Sequence, residues 1–316
     1  MKEVSIGIDI GGTNTVFGVV DKDAKVLAEG SISTRKYENV DEFIELLSNS
    51  LKRLIENLEN DTKVKGIGIG APNGNYYTGS IDFAPNLRWK GKVKLAEKLE
   101  KKMNYPVFLT NDANAAAMGE MIYGGAKNMN DFIVITLGTG LGSGIVVDGK
   151  VVYGHDGFAG EIGHTVINPE GRTCGCGRLG CLETYASATG ILKTVLELLK
   201  KSDEASELRN FVPEKITSKL IAEAANRSDK IALEAFEFTG KILGFALANA
   251  VATLSPKAIF LFGGLAKSGE LIIKPTKIYL EENLLNIFKN KVQILPSGIP
   301  DQNAAILGAS ALVWEN

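Results

Sequence analysis

The residues with the most chemical capacity lie close together, between Gly154 and Glu183. The stretch reads GHDGFAGEIGHTVINPEGRTCGCGRLGCLE and holds all three cysteines, both histidines and the carboxylates Glu161 and Glu183. His164, Cys174, Cys176 and Cys181 offer three thiolates and one imidazole, the donor set of a tetrahedral zinc site. The spacing, Cys-x-Cys-x4-Cys with a histidine ten residues upstream, is not that of a standard zinc finger. Four protein ligands would close the coordination shell, so such a metal would be structural and would not activate water. The alternative, three reduced buried cysteines, sits poorly in a polar, glycine-rich loop. Glu161 and Glu183 are left over for other work, whereas His155 has no such partner and reads as an exposed loop residue.

Three other stretches could do chemistry. Asp9-Ile10-Gly11-Gly12-Thr13-Asn14 ends a β-branched run, and Thr15–Val20 resumes as a strand, so the pair reads as a hairpin. Its turn could present backbone N–H groups to an anion, although an ordinary hairpin is equally compatible with these residues. Gly138-Thr139-Gly140-Leu141-Gly142-Ser143-Gly144 repeats that design between the strands 131–137 and 145–147. A strand follows these glycines, where a dinucleotide-binding turn would open a helix, and no GxxxxGK[ST] lies near a strand end. Finally, Thr110-Asn111-Asp112 stands between a strand and an alanine-rich helix, where α/β proteins place active sites. A helix cap is the plain alternative for Asp112.

The elements that must position these groups alternate along the chain. A third strand is expected over Val26–Ser33 and a helix from Asp41, as its cap, to Leu58. A short buried strand follows over Lys65–Ala71, with glycines where something packs closely. A long irregular loop, 73–89, carries Asn86 and Trp89. Then come a helix over 92–103, a strand over 106–109, and helices over 185–201, 216–226 and 231–254. An exposed loop spans 200–210. The second half closes with a strand over 258–262 running into Gly263-Gly264, a helix over 271–288, a strand over 292–295 and a last helix over 304–314. No repeat of 20–50 residues is evident, though β-hairpin, glycine turn and helix recur in both halves.

Composition fits this reading. The 316 residues are 45% apolar and 23% charged, enough for two domains of ordinary size. A net charge of −2 gives no electrostatic reason to expect nucleic acid. Cysteines confined to one short cluster are poorly placed for a disulfide framework, and thiolates reserved for a metal suit a reducing compartment, so a cytoplasmic protein is expected. No signal peptide is visible and no apolar run approaches the roughly 18–20 residues of a membrane span. The first strand begins at Val4, which leaves no space before it for a helix-turn-helix.

Six motifs in this order, DIGGTN, LTNDANAA, GTGLGSG, GxAGEIGH, CGCGRLGCLE and FGG, resemble the ROK family of sugar kinases, and among them the bacterial glucokinases. The resemblance covers the whole chain. It implies an α/β, actin-like ATPase fold of two ribonuclease-H-like domains with a cleft between them. The smaller would span 1–112, with a C-terminal helix at about 303–316 packing back on it, and the larger, 113–302, would carry the zinc loop. It implies ATP-dependent phosphorylation of a hexose at the 6-hydroxyl, glucose first, with Asp112 as general base. Asn86, Asn111, Asp112, Glu161, His164 and Glu183 match the sugar-contacting positions. Asp9 matches the residue that holds Mg²⁺ through water. Gly11, Gly12, Thr13, Asn14, Gly138, Thr139 and Gly140 match the phosphate turns, and Gly263 and Gly264 the adenosine side. The resemblance raises the zinc reading of His164, Cys174, Cys176 and Cys181, and implies a homodimer. Mannose, fructose and N-acetylhexosamine kinases share the motifs, as do sugar-responsive repressors. Gly74-Asn75-Tyr76-Tyr77 departs from the usual proline- and valine-containing loop, which bears on fine specificity and not on the reaction.

Overall fold

The computed structural model describes residues 1–299 and 303–315. Gln302 and Asn316, the far ends of the expected larger domain and last helix, lie outside the described residues. The chain divides into two compact units, one formed by Met1–Met129, Lys150–Ala159 and Ser297–Asn316, the other by Asn130–Gly149 and Gly160–Pro296.

The first unit is built on a mixed five-stranded sheet. Its strands are β1 (Lys2–Ile10), β2 (Asn14–Asp21), β3 (Val26–Ser33), β4 (Thr62–Gly70) and, after three short strands, β8 (Val107–Thr110), ordered β3-β2-β1-β4-β8. The first three form an antiparallel meander, with Ile10 opposite Thr15 across the tight turn, while β4 and β8 run parallel to β1. Alternation is weak in β1 because both faces are covered: Val4, Ile6, Ile8 and Ile10 are all buried, as is Ser5 between them. Helix α1 (Val40–Glu56) packs Phe43, Ile44, Leu47 and Leu51 inward, at helical spacing. Its cap is Asn39, whose side chain accepts from Asp41 N at 2.8 Å, so Asp41 lies in the first turn and does not cap the helix as its sequence position suggests.

Two further differences from the sequence pattern concern short strands. The stretch 73–89 is not irregular throughout: β5 (Gly74–Asn75), β6 (Ser80–Asp82) and β7 (Lys92–Val93) form a small sheet, and helix α2 starts only at Leu95 and runs to Met103. Strands of two or three residues are too short for any period to register.

Helix α3 (Asp112–Ile122) lies against the C-terminal helix (Ala304–Glu315), which also packs on β1 and β4. The C-terminal helix approaches so closely that a Cβ on Gly7 would stand 2.0 Å from Ile306 O and one on Gly68 1.9 Å from Ala309 O. Only a residue without a side chain fits there. Gly68→Ala is accordingly expected to cost about 1–3 kcal/mol through overpacking, read as a lower urea midpoint; an unchanged midpoint contradicts the close approach. The far end of α3 is fixed by Glu120, fully buried, whose carboxylate accepts from Gly125 N at 2.8 Å, from Gly298 N at 3.0 Å and from the Ser297 hydroxyl. Three donors on one carboxylate satisfy a charge that would otherwise be costly to bury.

The second unit has β9 (Phe132–Leu137) and β10 (Leu141–Val147) as an antiparallel hairpin, with β11 (Ala258–Phe262) parallel to β9 and β12 (Gln293–Pro296) parallel to β11. The glycines at 142 and 144 belong to the strand β10, so the turn of the GTGLGSG stretch is confined to Gly138–Gly140. Helices α4 (Ala188–Lys201), α5 (Ser218–Asn226), α6 (Lys230–Leu254) and α7 (Glu270–Asn283) complete the unit, with α6 buried along most of its length against α7 and α4. The 200–210 stretch is not wholly an exposed loop, because Leu208 is fully buried in a short 3-10 turn.

Candidate active site and metal centre

In the first unit the carboxyl ends of three parallel strands stand side by side. Asp9 of β1 pairs with Gly70 of β4, and Gly70 with Thr110 of β8. The chain then turns into α3, capped by Asn111, whose side chain accepts from Asn114 N at 2.7 Å. That assigns the cap to Asn111 and leaves Asp112 as the first helical residue, with one oxygen accepting from Ala113 N at 2.9 Å. A Cβ placed on Gly70 would lie 3.7 Å from both Asp9 Oδ1 and Asp112 Cα. Those are ordinary contact distances; the tight neighbour of Gly70 is Ala115 of α3, whose Cβ would be 3.2 Å away. The sequence shows a glycine-rich strand there but not that α3 is what packs against it.

The electrostatics follow from that crowding. Asp112 can be reached from solvent, yet the surrounding protein strips most of its hydration and holds its carboxyl above the ordinary carboxylate range, against the pull of the N–H groups at the helix start. Burial, and then the nearby Asp112 charge, push Asp9 up to about 7. Two carboxylates destabilised by desolvation, Asp9 by the Asp112 charge as well, are suited to proton exchange and to a cation.

Close by, Gly11 N donates to Asn14 O at 3.0 Å to close the β1–β2 turn, and Thr13 O accepts from Thr34 N at 2.9 Å. Asn86 lies against this turn: a Cβ on Gly12 would sit 2.6 Å from Asn86 O. Thr13 and Asn14 are exposed.

In the second unit the Gly138–Gly140 turn and Gly263-Gly264 meet at the ends of the parallel pair β9 and β11. Gly263 has φ +98° and packs on Leu137, and Leu265 N donates to Leu137 O at 3.0 Å. The turn is tied to the start of α4 by Ala188 N to Gly138 O, 2.9 Å, and by the Thr189 hydroxyl to Thr139 O, 2.7 Å. Glu183 reaches the same turn, since a Cβ on Gly140 would be 2.5 Å from its Oε2.

The metal-capable side chains converge. The ligand atoms of His164, Cys174, Cys176 and Cys181 all lie within 4.8 Å of one another. Cys174 Sγ is 3.7 Å from His164 Nδ1, and Cys176 Sγ is 3.6 Å from Cys181 Sγ. A tetrahedron with metal–sulfur bonds of ~2.3 Å has edges of about 3.8 Å, so these two pairs already have the spacing of a shared ion, and the donor set fits zinc. Hydrogen bonding from Arg178 holds the exposed Cys176 thiol down to about 6, whereas burial raises Cys174 and Cys181; a bound cation would lower all three. Glu183 joins the cluster, accepting from Cys174 Sγ at 3.0 Å, with its Oε1 3.8 Å from His164 Nδ1. Glu161 is exposed just ahead of the Ile162–His164 turn, and His155 is exposed, as its lack of partners in the sequence implies. Missing from the sequence reading is Arg172, which the loop folds around.

The sequence pattern of the ROK family matches residues 5–316. The chain belongs to the ROK family. A glucokinase of Halalkalibacterium halodurans is 37% identical to it over 87% of this chain and 84% of its own. A ROK family glucokinase from Streptomyces griseus, solved in complex with glucose and AMPPNP, is 31% identical with a TM-score of 0.84, covering 99% of this chain and 100% of that one. A ROK family transcriptional regulator, a homologue of the E. coli MLC protein, superposes with a TM-score of 0.89 at 25% identity, over 100% of this chain and 78% of that one. The mixed sheets of this ROK chain are those of the actin-like ATPase fold. Among the described residues no helix is long and apolar enough to cross a membrane.

Proposed function

We propose that this ROK protein transfers the γ-phosphoryl group of ATP to the 6-hydroxyl of a hexose, glucose first. The observation that carries the reading is Asp112: a solvent-accessible carboxylate with a raised pKa at a strand end, one oxygen held by Ala113 N. It is supported by the glucokinases among the relatives.

In this reading Asp112 accepts the proton of the 6-hydroxyl as that oxygen forms its bond to the γ-phosphorus and the bond to the bridging oxygen of ADP breaks. Phosphoryl transfer asks mainly for positioning and charge compensation, with a base to orient the nucleophile. Asn86, Asn111, Glu161, His164 and Glu183 pair the remaining hydroxyls, because each buried sugar donor or acceptor must find a partner. The N–H groups of 11–14 and 138–140 receive the phosphates, and Gly263 and Gly264 admit the nucleotide close to the backbone. Asp9 would hold Mg²⁺ through water, where the cation neutralises phosphate charge. Zinc on His164, Cys174, Cys176 and Cys181 would shape the loop without entering the reaction. A homodimer, to be tested by light scattering, completes the proposal.

An ADP-release assay over glucose, mannose, fructose and N-acetylhexosamines tests it, with Asp112→Ala as control. Glucose is expected to give the highest kcat/KM. No turnover on any hexose overturns the kinase reading, and equal release by Asp112→Ala overturns the base. The similarity to a transcriptional regulator supports a second reading. Its signature is hexose binding without ADP release.

A further inference from the structure

The metal loop is anchored by a side chain that is neither a ligand nor a sugar contact. We infer that Arg172 is the positioning residue of the metal and hexose site, setting the register of the cysteine loop against Glu183. Five hydrogen bonds leave its guanidinium. Nε and Nη2 form a fork on Glu197, at 2.9 and 2.7 Å. Nη2 also donates to Thr194 Oγ1 at 2.9 Å, while Nη1 donates to Thr184 O at 2.8 Å and Gly190 O at 3.1 Å. The plane stacks over the Tyr185 ring, 4.5 Å from its centroid. The Arg172 side chain is 11% exposed and its bonds to Thr184, Gly190 and Thr194 are sheltered, whereas the fork on the half-exposed Glu197 lies at the surface.

The backbone of Arg172 completes the arrangement. Its N–H donates to the Tyr185 hydroxyl at 3.0 Å, and its carbonyl accepts from Gly180 N at 2.8 Å. Gly180 has φ +71° and no room for a Cβ, which would stand 1.5 Å from Asn168 O. Arg172 is therefore two residues from Cys174, is bonded to the residue before Cys181, and is bonded to the residue after Glu183. Three groups of the proposed site, two thiols and one sugar carboxylate, are thus tied to one residue, through its backbone carbonyl and through a side chain fixed to α4. Groups that orient metal ligands from outside the coordination shell commonly contribute 10–100-fold in affinity or activity.

This deepens the hexose-kinase reading and rests on it only for the kinetic arm of the test. Arg172→Met keeps the stem and removes every donor. Arg172→Lys keeps the charge without the fork, and Glu197→Gln removes the counter-charge from an exposed position. Each variant, confirmed folded by circular dichroism, is titrated for zinc against a chromophoric chelator and assayed with hexose and ATP varied separately. In Arg172→Met zinc affinity is expected to fall roughly 10–100-fold, with hexose KM rising by about 10-fold and ATP KM and saturated kcat close to wild type. Arg172→Lys should resemble Arg172→Met more than the wild type. Should Arg172→Met fail to fold, Glu197→Gln decides, with the same losses in milder form. Wild-type zinc affinity in the folded variants overturns the proposal, as does an equal rise in the KM of hexose and ATP. If the wild-type chain turns over no hexose, the zinc titration still decides whether Arg172 positions the metal ligands.

Discussion

Asp112→Asn is expected to lower kcat by about 10²–10⁴-fold, the usual contribution of a general base. Asparagine is nearly isosteric and keeps an oxygen to accept from Ala113 N, now 2.9 Å from the carboxylate. The helix start, its Asn111 cap and the sugar-facing shape therefore persist, and hexose KM should change little. A loss confined to kcat is the mark of an interaction made in the transition state; a kcat within a few-fold of wild type would remove Asp112 from the chemistry.

The same carboxylate sets the acid limb of the pH profile. A base must be ionised, and burial holds Asp112 above the usual range, so kcat/KM should rise with pH through an apparent pKa higher than that of an ordinary aspartate. Asp9 offers a check on the electrostatics. Its folded pKa of about 7 exceeds the ordinary value of 3.8 because of burial and then the Asp112 charge. Between those values the folded chain binds more protons than the unfolded one, so stability contributed by protonated Asp9 is present at low pH and is lost as pH rises towards 7. Thermal melts without divalent cation should show that decline, Asp9→Asn should flatten it, and Asp112→Asn should shift it to lower pH.

Much of this site is legible in the sequence because its residue types have few other uses. Cysteines and a histidine in a glycine-rich loop announce a metal, and the folded chain gathers those four ligands. Long elements are equally legible: the first helix shows its inward face at helical spacing, and the helix from about 231 to 254 is apolar along most of its length. Features made by the backbone or by remote partners are not. The first half of β10, 141–144, hides behind its glycines because ladder hydrogen bonds need no side chain. Asn39 caps α1 through one bond that composition cannot distinguish from that of Asp41. Gly70 matters for its close packing on Ala115, and Arg172 for partners as far as 25 residues away, Glu197 among them. One dimension records neither.

Metal removal should separate hexose binding from nucleotide binding. Cys176→Ala, shown by metal analysis to carry no zinc, is expected to raise hexose KM by at least about 10-fold and to lower the melting temperature, while ATP KM stays close to wild type. The reason lies in what Glu183 does in each state. As a thiol, Cys174 donates to Glu183 Oε1 at 3.0 Å, occupying an acceptor that the hexose reading assigns to a sugar hydroxyl. As a metal-bound thiolate Cys174 has no proton to give, and two anions cannot hold that contact. Metal loading would therefore free Glu183 as well as tether the loop. The phosphate turn at Gly138–Gly140 keeps its own ties to Ala188 and Thr189, which involve no metal ligand. Unchanged hexose affinity in the zinc-free variant would break the link between metal and sugar. A parallel rise in the KM of hexose and ATP would mean that the loop supports the whole unit and not the sugar site.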